Sequence, residues 1–133
     1  MYLIDTSAWV EYFRRTESPT DLLVTRLMGE QAPVVLTEPV IMEVLAGARD
    51  QSELIKLERL TEGLPLVRVD AVRDFVNAAH TFRAARSRGV TVRKMLDCLI
   101  AAVAMRAGAT VVHRDADFAN LTKVIPTFEA RSQ

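Results

Sequence analysis

The segment at residues 95–105, MLDCLIAAVAM, constrains the fold more than any other part of this sequence. Its last eight residues carry no polar side chain, and apolar residues occupy nearly every side of a helix drawn through the segment. So short a run is well below the roughly 18 apolar residues that indicate a membrane span. The sequence therefore predicts a helix that is buried on all sides, begins near Lys94 and stops at Gly108.

Asp97 lies at the entrance of this buried helix. An ionised carboxylate among apolar neighbours is costly unless a cation or a metal ion pairs with it. Asp97 could instead serve only its own helix, because a negative charge near the positive end of the helix dipole contributes about 0.3–1 kcal/mol. The first interpretation makes Asp97 part of a polar site, and the sequence leaves both open.

Short apolar runs alternate with helical periodicities along the rest of the chain. Strands are predicted at residues 2–4, 34–36 and 110–113. Helices are predicted at residues 7–15, 20–30, 38–48, 51–62, 71–88, 94–107 and 116–121. Such alternation is typical of a parallel sheet between two layers of helices. The expected fold is a three-layer α/β/α sandwich with a short central parallel sheet, formed by residues 1–133 as a single domain.

The composition bears on the cellular setting. The chain has one Cys, which excludes an internal disulfide and fits a reducing compartment. Asp5 lies where a secretory signal would have a basic patch followed by a long apolar stretch. We therefore expect a soluble, cytoplasmic protein with no membrane partner.

The net charge of zero hides an uneven distribution. Residues 1–62 carry 11 acids and 6 bases, whereas residues 63–133 carry 6 acids and 11 bases, so the halves have charges of −5 and +5. The densest basic stretch is residues 82–94, FRAARSRGVTVRK, which contains no acid. It is either a solvated helix end and loop or a surface that binds phosphate groups.

Four acids fall on four separate elements. Asp5 follows the first strand directly, and Asp115 follows the third. Ligands bind beyond the carboxyl ends of strands in open α/β sheets, although Asp5 and Asp115 are also good helix N-caps. Glu43 lies on the margin of the apolar face of its helix, where it either reaches a cleft or is merely solvated. Asp97 is the fourth.

Carboxylates that are brought together raise each other's pKa unless a hard cation lies among them. Oxygen ligands favour Mg²⁺ or Mn²⁺, and such a metal activates water and offsets charge that develops on a phosphate. The sequence has neither a P-loop nor a Gly-x-Gly-x-x-Gly motif, and His80, His113 and Cys98 would make an unusual zinc site. The four acids thus favour metal-dependent phosphodiester hydrolysis.

Three stretches in chain order resemble the PIN-domain ribonucleases of the VapC toxin type: MYLIDTSAWVEYF, EPVIMEVLAG and LDCLIAAVAMRAGATVVHRDADF. The resemblance implies a three-layer α/β/α domain that binds Mg²⁺, or Mn²⁺ as a substitute, and cleaves RNA as the toxin of a toxin–antitoxin pair. By position it implies that the acids of the site are Asp5, Glu43, Asp97 and Asp115. Asp5 and Asp97 would be direct metal ligands. Asp117 is either an accessory acid or a helix cap.

The resemblance also implies partners. These are a structured RNA substrate, most often tRNA and sometimes ribosomal RNA, a VapB-like antitoxin whose peptide enters the acidic cleft, and a second copy of the chain in a homodimer. The basic stretch then becomes the RNA contact, through Arg86, Arg88, Arg93 and Lys94. The aromatic residues near the N-terminus, Trp9, Tyr12 and Phe13, belong either to the core or to the antitoxin interface.

His113 departs from the pattern, because many relatives have Thr or Ser there. The imidazole could donate a similar hydrogen bond or add positive charge at low pH. The alternative function is a non-catalytic PIN-like regulatory or protein-binding domain, which would keep the fold and bind no metal. A phosphoacceptor receiver domain ranks last, because Asp5-Thr6 supplies no paired acid at the first strand and Lys123 precedes the strand that it should follow.

Overall fold

The computed structural model describes residues 1–125 and the backbone of residues 130–131. Its strands are β1 (Tyr2–Ile4), β2 (Val34–Val35), β3 (Thr110–Val112) and β4 (Ala130–Arg131). They form one parallel sheet in the order β2-β1-β3-β4. Because β1 and β3 are neighbours and parallel, the residues that follow them emerge side by side at the same edge of the sheet.

The helices are α1 (Thr6–Phe13), α2 (Pro19–Gly29), α3 (Glu38–Ala46), α4 (Gln51–Glu62), α5 (Arg73–Ser87), α6 (Met95–Ala107) and α7 (Ala116–Thr122). The predicted α/β/α sandwich with a short parallel sheet is confirmed. Within residues 1–125 and 130–131, no helix combines the length and the apolar character that crossing a membrane requires.

The structure corrects several predicted boundaries. The strand predicted at residues 34–36 ends one residue earlier, because Leu36 forms only an isolated parallel bridge with Leu66. The strand predicted at residues 110–113 ends at Val112, so His113 belongs to the turn that leads into α7. The short edge strand β4 was missed, because two residues are too few for a readable alternation.

The prediction of a buried helix is confirmed by α6. Every residue from Asp97 to Ala104 is buried, and only the ends of the helix reach solvent. Gly108 ends the helix in the left-handed region, with φ of 68°, where a glycine is favoured. Because α6 is packed all round, it holds the position of its first turn, and therefore of Asp97, rigidly.

An ion pair between a buried carboxylate and a partly exposed arginine joins the far end of α6 to α5. The Asp74 side chain has no solvent exposure and accepts hydrogen bonds from Arg106 Nε at 3.0 Å and from Arg106 Nη2 at 2.8 Å. Arg106 Nη2 also donates to the Arg68 carbonyl at 2.6 Å, and the Asp70 N–H donates to Asp74 at 2.8 Å. The pair thus joins the loop before α5, the first turn of α5 and the last turn of α6. Hydrogen bonds from Arg106 hold the pKa of Asp74 below its ordinary value.

We expect Arg106→Met to lower the free energy of unfolding by about 1–3 kcal/mol, because it leaves the buried Asp74 carboxylate without its charged hydrogen-bond donor. Urea denaturation at neutral pH measures this effect. Since the folded pKa of Asp74 is depressed, its contribution is present above the unfolded pKa of about 4 and is lost as the pH falls through the folded pKa. The difference between Arg106→Met and wild type should therefore shrink in acid.

Arg49→Met is the matched control. Arg49 is 68% exposed and pairs with Glu53 on the surface of α4, so its loss should change stability by no more than about 0.5 kcal/mol. Equal losses in the two variants would contradict a stabilising role for the pair between Arg106 and Asp74.

Candidate active site

Five acids meet at the carboxyl edge of the sheet. Asp5 follows β1, Glu43 lies in α3, Asp97 lies in the first turn of α6, and Asp115 and Asp117 lie at the start of α7. Ligand oxygens of Asp97, Asp115 and Asp117 lie within 4.8 Å of one another. Asp5 adjoins this group, because its charge acts on Asp97 and on Glu43. The structure thus gathers all four predicted acids and draws Asp117 into the tightest set.

Asp97 is the acid whose ionised form has the least favourable surroundings. It is 3% exposed, and its Oδ2 is buried without a hydrogen-bond partner in the part of the chain that the structure describes. Burial, followed by repulsion from Asp5 and Asp115, raises the pKa of Asp97 to about 8. A hydrogen bond with Asp117 also favours the protonated form, whereas Lys94 acts in the opposite direction. Stabilisation of its own helix end does not account for these surroundings, because the ionised Asp97 carboxylate would be stable there only beside a cation.

Asp5 fulfils its predicted role as a helix cap and is also part of the acid group. Its Oδ2 accepts hydrogen bonds from the Ser7 N–H at 3.0 Å and from Ser7 Oγ at 2.6 Å. Burial raises the pKa of Asp5, although the bonds from Ser7 act to lower it. Ser7 Oγ in turn accepts the Arg114 N–H at 2.9 Å. Ser7 therefore ties the end of β1 to the chain that follows β3.

Glu43 reaches a cleft, which was the functional alternative for this residue. Thr6 Oγ1 donates to Glu43 Oε1 at 3.2 Å, and burial together with the charge of Asp5 raises the pKa of Glu43. Glu43 and Thr6 lie on the wall of a groove of about 410 Å³ between α1, α3 and α4. Gly47, one turn after Glu43, also lines it, and Glu43 is the member of the five acids that the groove reaches.

Asp115 and Asp117 divide the roles that the sequence left open. Asp115 is the N-cap of α7, since its Oδ1 accepts the Asp117 N–H at 2.9 Å. Asp117 is 1% exposed, and its Oδ2 accepts the backbone N–H groups of Arg93 and Lys94, both at 3.1 Å. Burial acts to raise the pKa of Asp117, but these hydrogen bonds and one from Arg93 Nε outweigh it and lower the pKa. Asp117 thus fixes the chain just before α6.

Two of the four predicted RNA contacts face the acids. Arg93 Nη2 lies 3.4 Å from Asp115 Oδ1, and Lys94 Nζ lies 3.4 Å from Asp115 Oδ2. The other two lie at the end of α5: Arg86 stands over the Phe82 ring at 6.0 Å, and Arg88 Nη1 donates to the Val124 carbonyl at 3.1 Å. The basic stretch is therefore one segment with two different surroundings.

His113 has a role that the sequence did not indicate. It is 2% exposed, and its Nδ1 accepts the Asp115 N–H at 3.2 Å. Its ring packs against Phe118, with 5.2 Å between the centroids, and burial lowers its pKa. His113 thus accepts a hydrogen bond through its unprotonated Nδ1 and in this way holds the backbone of Asp115 in place.

The aromatic residues of α1 are divided between core and groove. Trp9 has no exposure and stacks on Phe13, with 5.6 Å between the ring centroids. Phe13 is partly buried and lines the groove beside α3, and Tyr12 is likewise partly buried. Trp9 is thus a core residue, and Phe13 is the one of the three that lines the groove.

The donor set suits a hard divalent cation. Within residues 1–125 it consists of carboxylate oxygens, three of them close together, and one Asp97 oxygen is buried there without a partner. The family resemblance implied Asp5 and Asp97 as the direct ligands, and in the structure Asp97 is grouped most closely with Asp115 and Asp117. The repeated acid in Asp115-Ala116-Asp117 was the available signal, but its short spacing also fits a helix cap.

Comparisons with known proteins agree with this architecture. A family model described as PIN domain matches residues 2–124. Ribonuclease VapC11 of Mycobacterium tuberculosis is 53% identical over 125 residues, which are 93% of this chain and 93% of that protein.

Solved structures share the fold. VapBC2 from Rickettsia felis, bound to a DNA fragment from its promoter, has a TM-score of 0.75 at 17% identity and covers 98% of this chain and 96% of its own. VapC20 from Mycobacterium tuberculosis, a sarcin–ricin loop cleaving toxin, has a TM-score of 0.65 at 17% identity and covers 90% and 93%. The family model and the close relative establish what the fold and the acids pointed to: the chain belongs to the PIN domain family, among its VapC-type ribonucleases.

Proposed function

We propose that this PIN-domain protein is a Mg²⁺-dependent endoribonuclease, the toxin of a toxin–antitoxin pair, and that it hydrolyses phosphodiester bonds in structured RNA. The observation that carries the metal requirement is Asp97, buried with an unpartnered oxygen and with its pKa raised to about 8 among other acids. Such a site favours a bound cation, which restores the ionised carboxylate. A regulatory domain that bound no metal would gain nothing from this arrangement.

The acids divide the work. Asp97, Asp115 and Asp117 would hold the metal, with Asp5 beside them. A bound divalent cation supplies an activated water and offsets charge on the phosphate. Glu43 accepts the proton of the attacking water, while the Thr6 hydroxyl fixes one of its oxygens. Ser7 positions Asp5.

The RNA approaches over the basic side of the site. Arg86, Arg88, Arg93 and Lys94 are exposed, and the last two lie at the rim of the acid group. Single-stranded loops suit such a site, because their backbone is accessible and their bases are unstacked. We favour tRNA as the substrate. Ribosomal RNA is the other class, and the structurally similar VapC20, a sarcin–ricin loop cleaving toxin, is the reason to keep it. Sequencing the 5′ ends of fragments made by the purified protein identifies the RNA and the cleaved bond.

An antitoxin of the VapB type is the proposed inhibitor. The groove between α1, α3 and α4 is lined by apolar Phe13, Val44 and Leu57 and by Glu43, so it offers a peptide an apolar surface and a carboxylate for a basic side chain. Similar folds occur in VapBC complexes. We also propose a homodimer, for which the exposed apolar residues Val72, Phe75 and Val76 offer a surface.

Asp97→Asn should lower the rate of Mg²⁺-dependent cleavage by more than about 100-fold. Loss of a residue that only supports a metal ligand typically costs about 10–100-fold, and loss of a ligand should cost more. Its far-UV circular dichroism and oligomeric state should be unchanged, since Asn matches the size of the protonated acid. Mn²⁺ titration calorimetry should show a site in wild type and none in the variant. Cleavage equal to wild type would refute the assignment, and a wild type that binds no Mn²⁺ would favour the non-catalytic regulator.

Asp97 should also make stability depend on pH in EDTA. Its folded pKa of about 8 lies above the unfolded value near 4, so the stability that it contributes is fully present below about pH 4 and is lost as the pH rises through about 8. Wild type should therefore lose more melting temperature between about pH 5 and pH 8 than Asp97→Asn does. Glu30→Gln, an exposed acid at the end of α2, should follow wild type. Parallel curves for wild type and Asp97→Asn would contradict the raised pKa.

Arg86→Glu combined with Arg88→Glu should weaken RNA binding and flatten its dependence on salt, because each lost phosphate contact lowers the slope for single strands by about 0.7. Fluorescence anisotropy over a salt series measures both quantities. Arg26→Glu combined with Arg59→Glu makes the same charge change outside the basic stretch and should alter the slope less. An affinity unchanged across salt would leave the end of α5 as a solvated surface.

A further inference from the structure

Lys94 sits against the acid group as a cation already built into the chain. Its ammonium group lies 3.4 Å from Asp115 Oδ2, while Arg93 lies 3.4 Å from Asp115 Oδ1. The charge of Lys94 also acts on Asp97 and Glu43, although neither is its hydrogen-bond partner. Both Asp115 oxygens are thus in contact with a cation, and the Lys94 ammonium is attracted by three acids, Asp115, Asp97 and Glu43.

The two cations are held differently. Arg93 is attached twice, because its Nε also pairs with Asp117 Oδ1 at 3.3 Å, in addition to its contact with Asp115. Among the described residues, the Lys94 ammonium contacts Asp115 alone, and its side chain is 57% exposed on a flexible stem. Because solvent screens an exposed pair of this kind, the Lys94 ammonium can leave Asp115 at small cost.

The backbone of Lys94 cannot leave with its side chain. Its N–H donates to Asp117, a carboxylate that is 1% exposed, and the residue is the N-cap of the buried helix α6. A released ammonium group therefore stays at the rim of the acid group, within reach of whatever binds there.

We infer that Lys94 is a counter-cation which a divalent metal displaces from Asp115 and which then binds an RNA phosphate beside the acids. The inference rests on the proposed function. A divalent cation and the Lys94 ammonium compete for the same carboxylate oxygen and repel each other. An RNA phosphate that captures the ammonium removes this competitor, so metal and RNA each strengthen the binding of the other. By linkage, the two factors are equal, and we expect at least about fivefold.

The test compares Lys94→Met with Arg83→Met. Arg83 is an exposed cation of the same basic stretch, so both variants remove one positive charge while keeping an apolar side chain. Mn²⁺ affinity is measured without RNA by electron paramagnetic resonance of the free ion. Affinity for a short fluorescein-labelled single-stranded RNA is measured by anisotropy with and without Mn²⁺, and the RNA is checked for integrity on a gel. Circular dichroism verifies folding.

Without RNA, Lys94→Met should bind Mn²⁺ about fivefold more tightly than wild type, the equivalent of one exposed ion pair, and Arg83→Met should match wild type. Mn²⁺ should strengthen RNA binding by wild type and by Arg83→Met at least about fivefold more than it strengthens binding by Lys94→Met, in which only the direct attraction between metal and phosphate remains. If both variants gain Mn²⁺ affinity equally, only overall charge matters and the inference fails. It also fails if Mn²⁺ strengthens RNA binding by Lys94→Met as much as it does for wild type. If wild type binds no Mn²⁺, the proposed function itself is wrong.

Discussion

Repulsion among carboxylates packed into one edge of the sheet is the constraint on which the rest of the site depends. Asp97 cannot move away from its neighbours, because its helix is buried from Asp97 to Ala104. The surrounding chain meets this repulsion in several ways: Ser7 donates to Asp5, Thr6 donates to Glu43, and the segment before α6 supplies both N–H groups and cations. Each of these donors lies beside the acid whose charge it stabilises.

Identical side chains acquire opposite acidities within this group. Asp97 and Asp117 are both buried, but Asp117 accepts two backbone N–H groups and an arginine, whereas one oxygen of Asp97 has no partner. One pKa is therefore lowered and the other is raised to about 8. Burial acts to raise the pKa of both carboxylates, and the hydrogen bonds from Arg93 and Lys94 reverse this effect for Asp117.

Features that depend on short stretches of sequence could be predicted, and those that depend on distant contacts could not. The apolar run at residues 98–105 was enough to predict a buried helix, and acids directly after predicted strands were enough to predict a cluster. The role of Asp117 depends on Arg93, 24 residues earlier, whose chain returns to α7 only in the folded protein. For the same reason, Arg93 and Lys94 appeared as free cations in the sequence, although both contact acids.

The ion pair between Arg106 and Asp74 has a consequence for how the protein can vary. Asp97 and Arg106 are nine residues apart on α6, or about 14 Å along its axis. One end of the helix thus carries Asp97 among the crowded acids, and the other end carries Arg106, which binds Asp74 of α5. Residues around the acids can therefore be exchanged during evolution while the anchoring of the helix is preserved. New specificities can arise in such a domain without the loss of its framework.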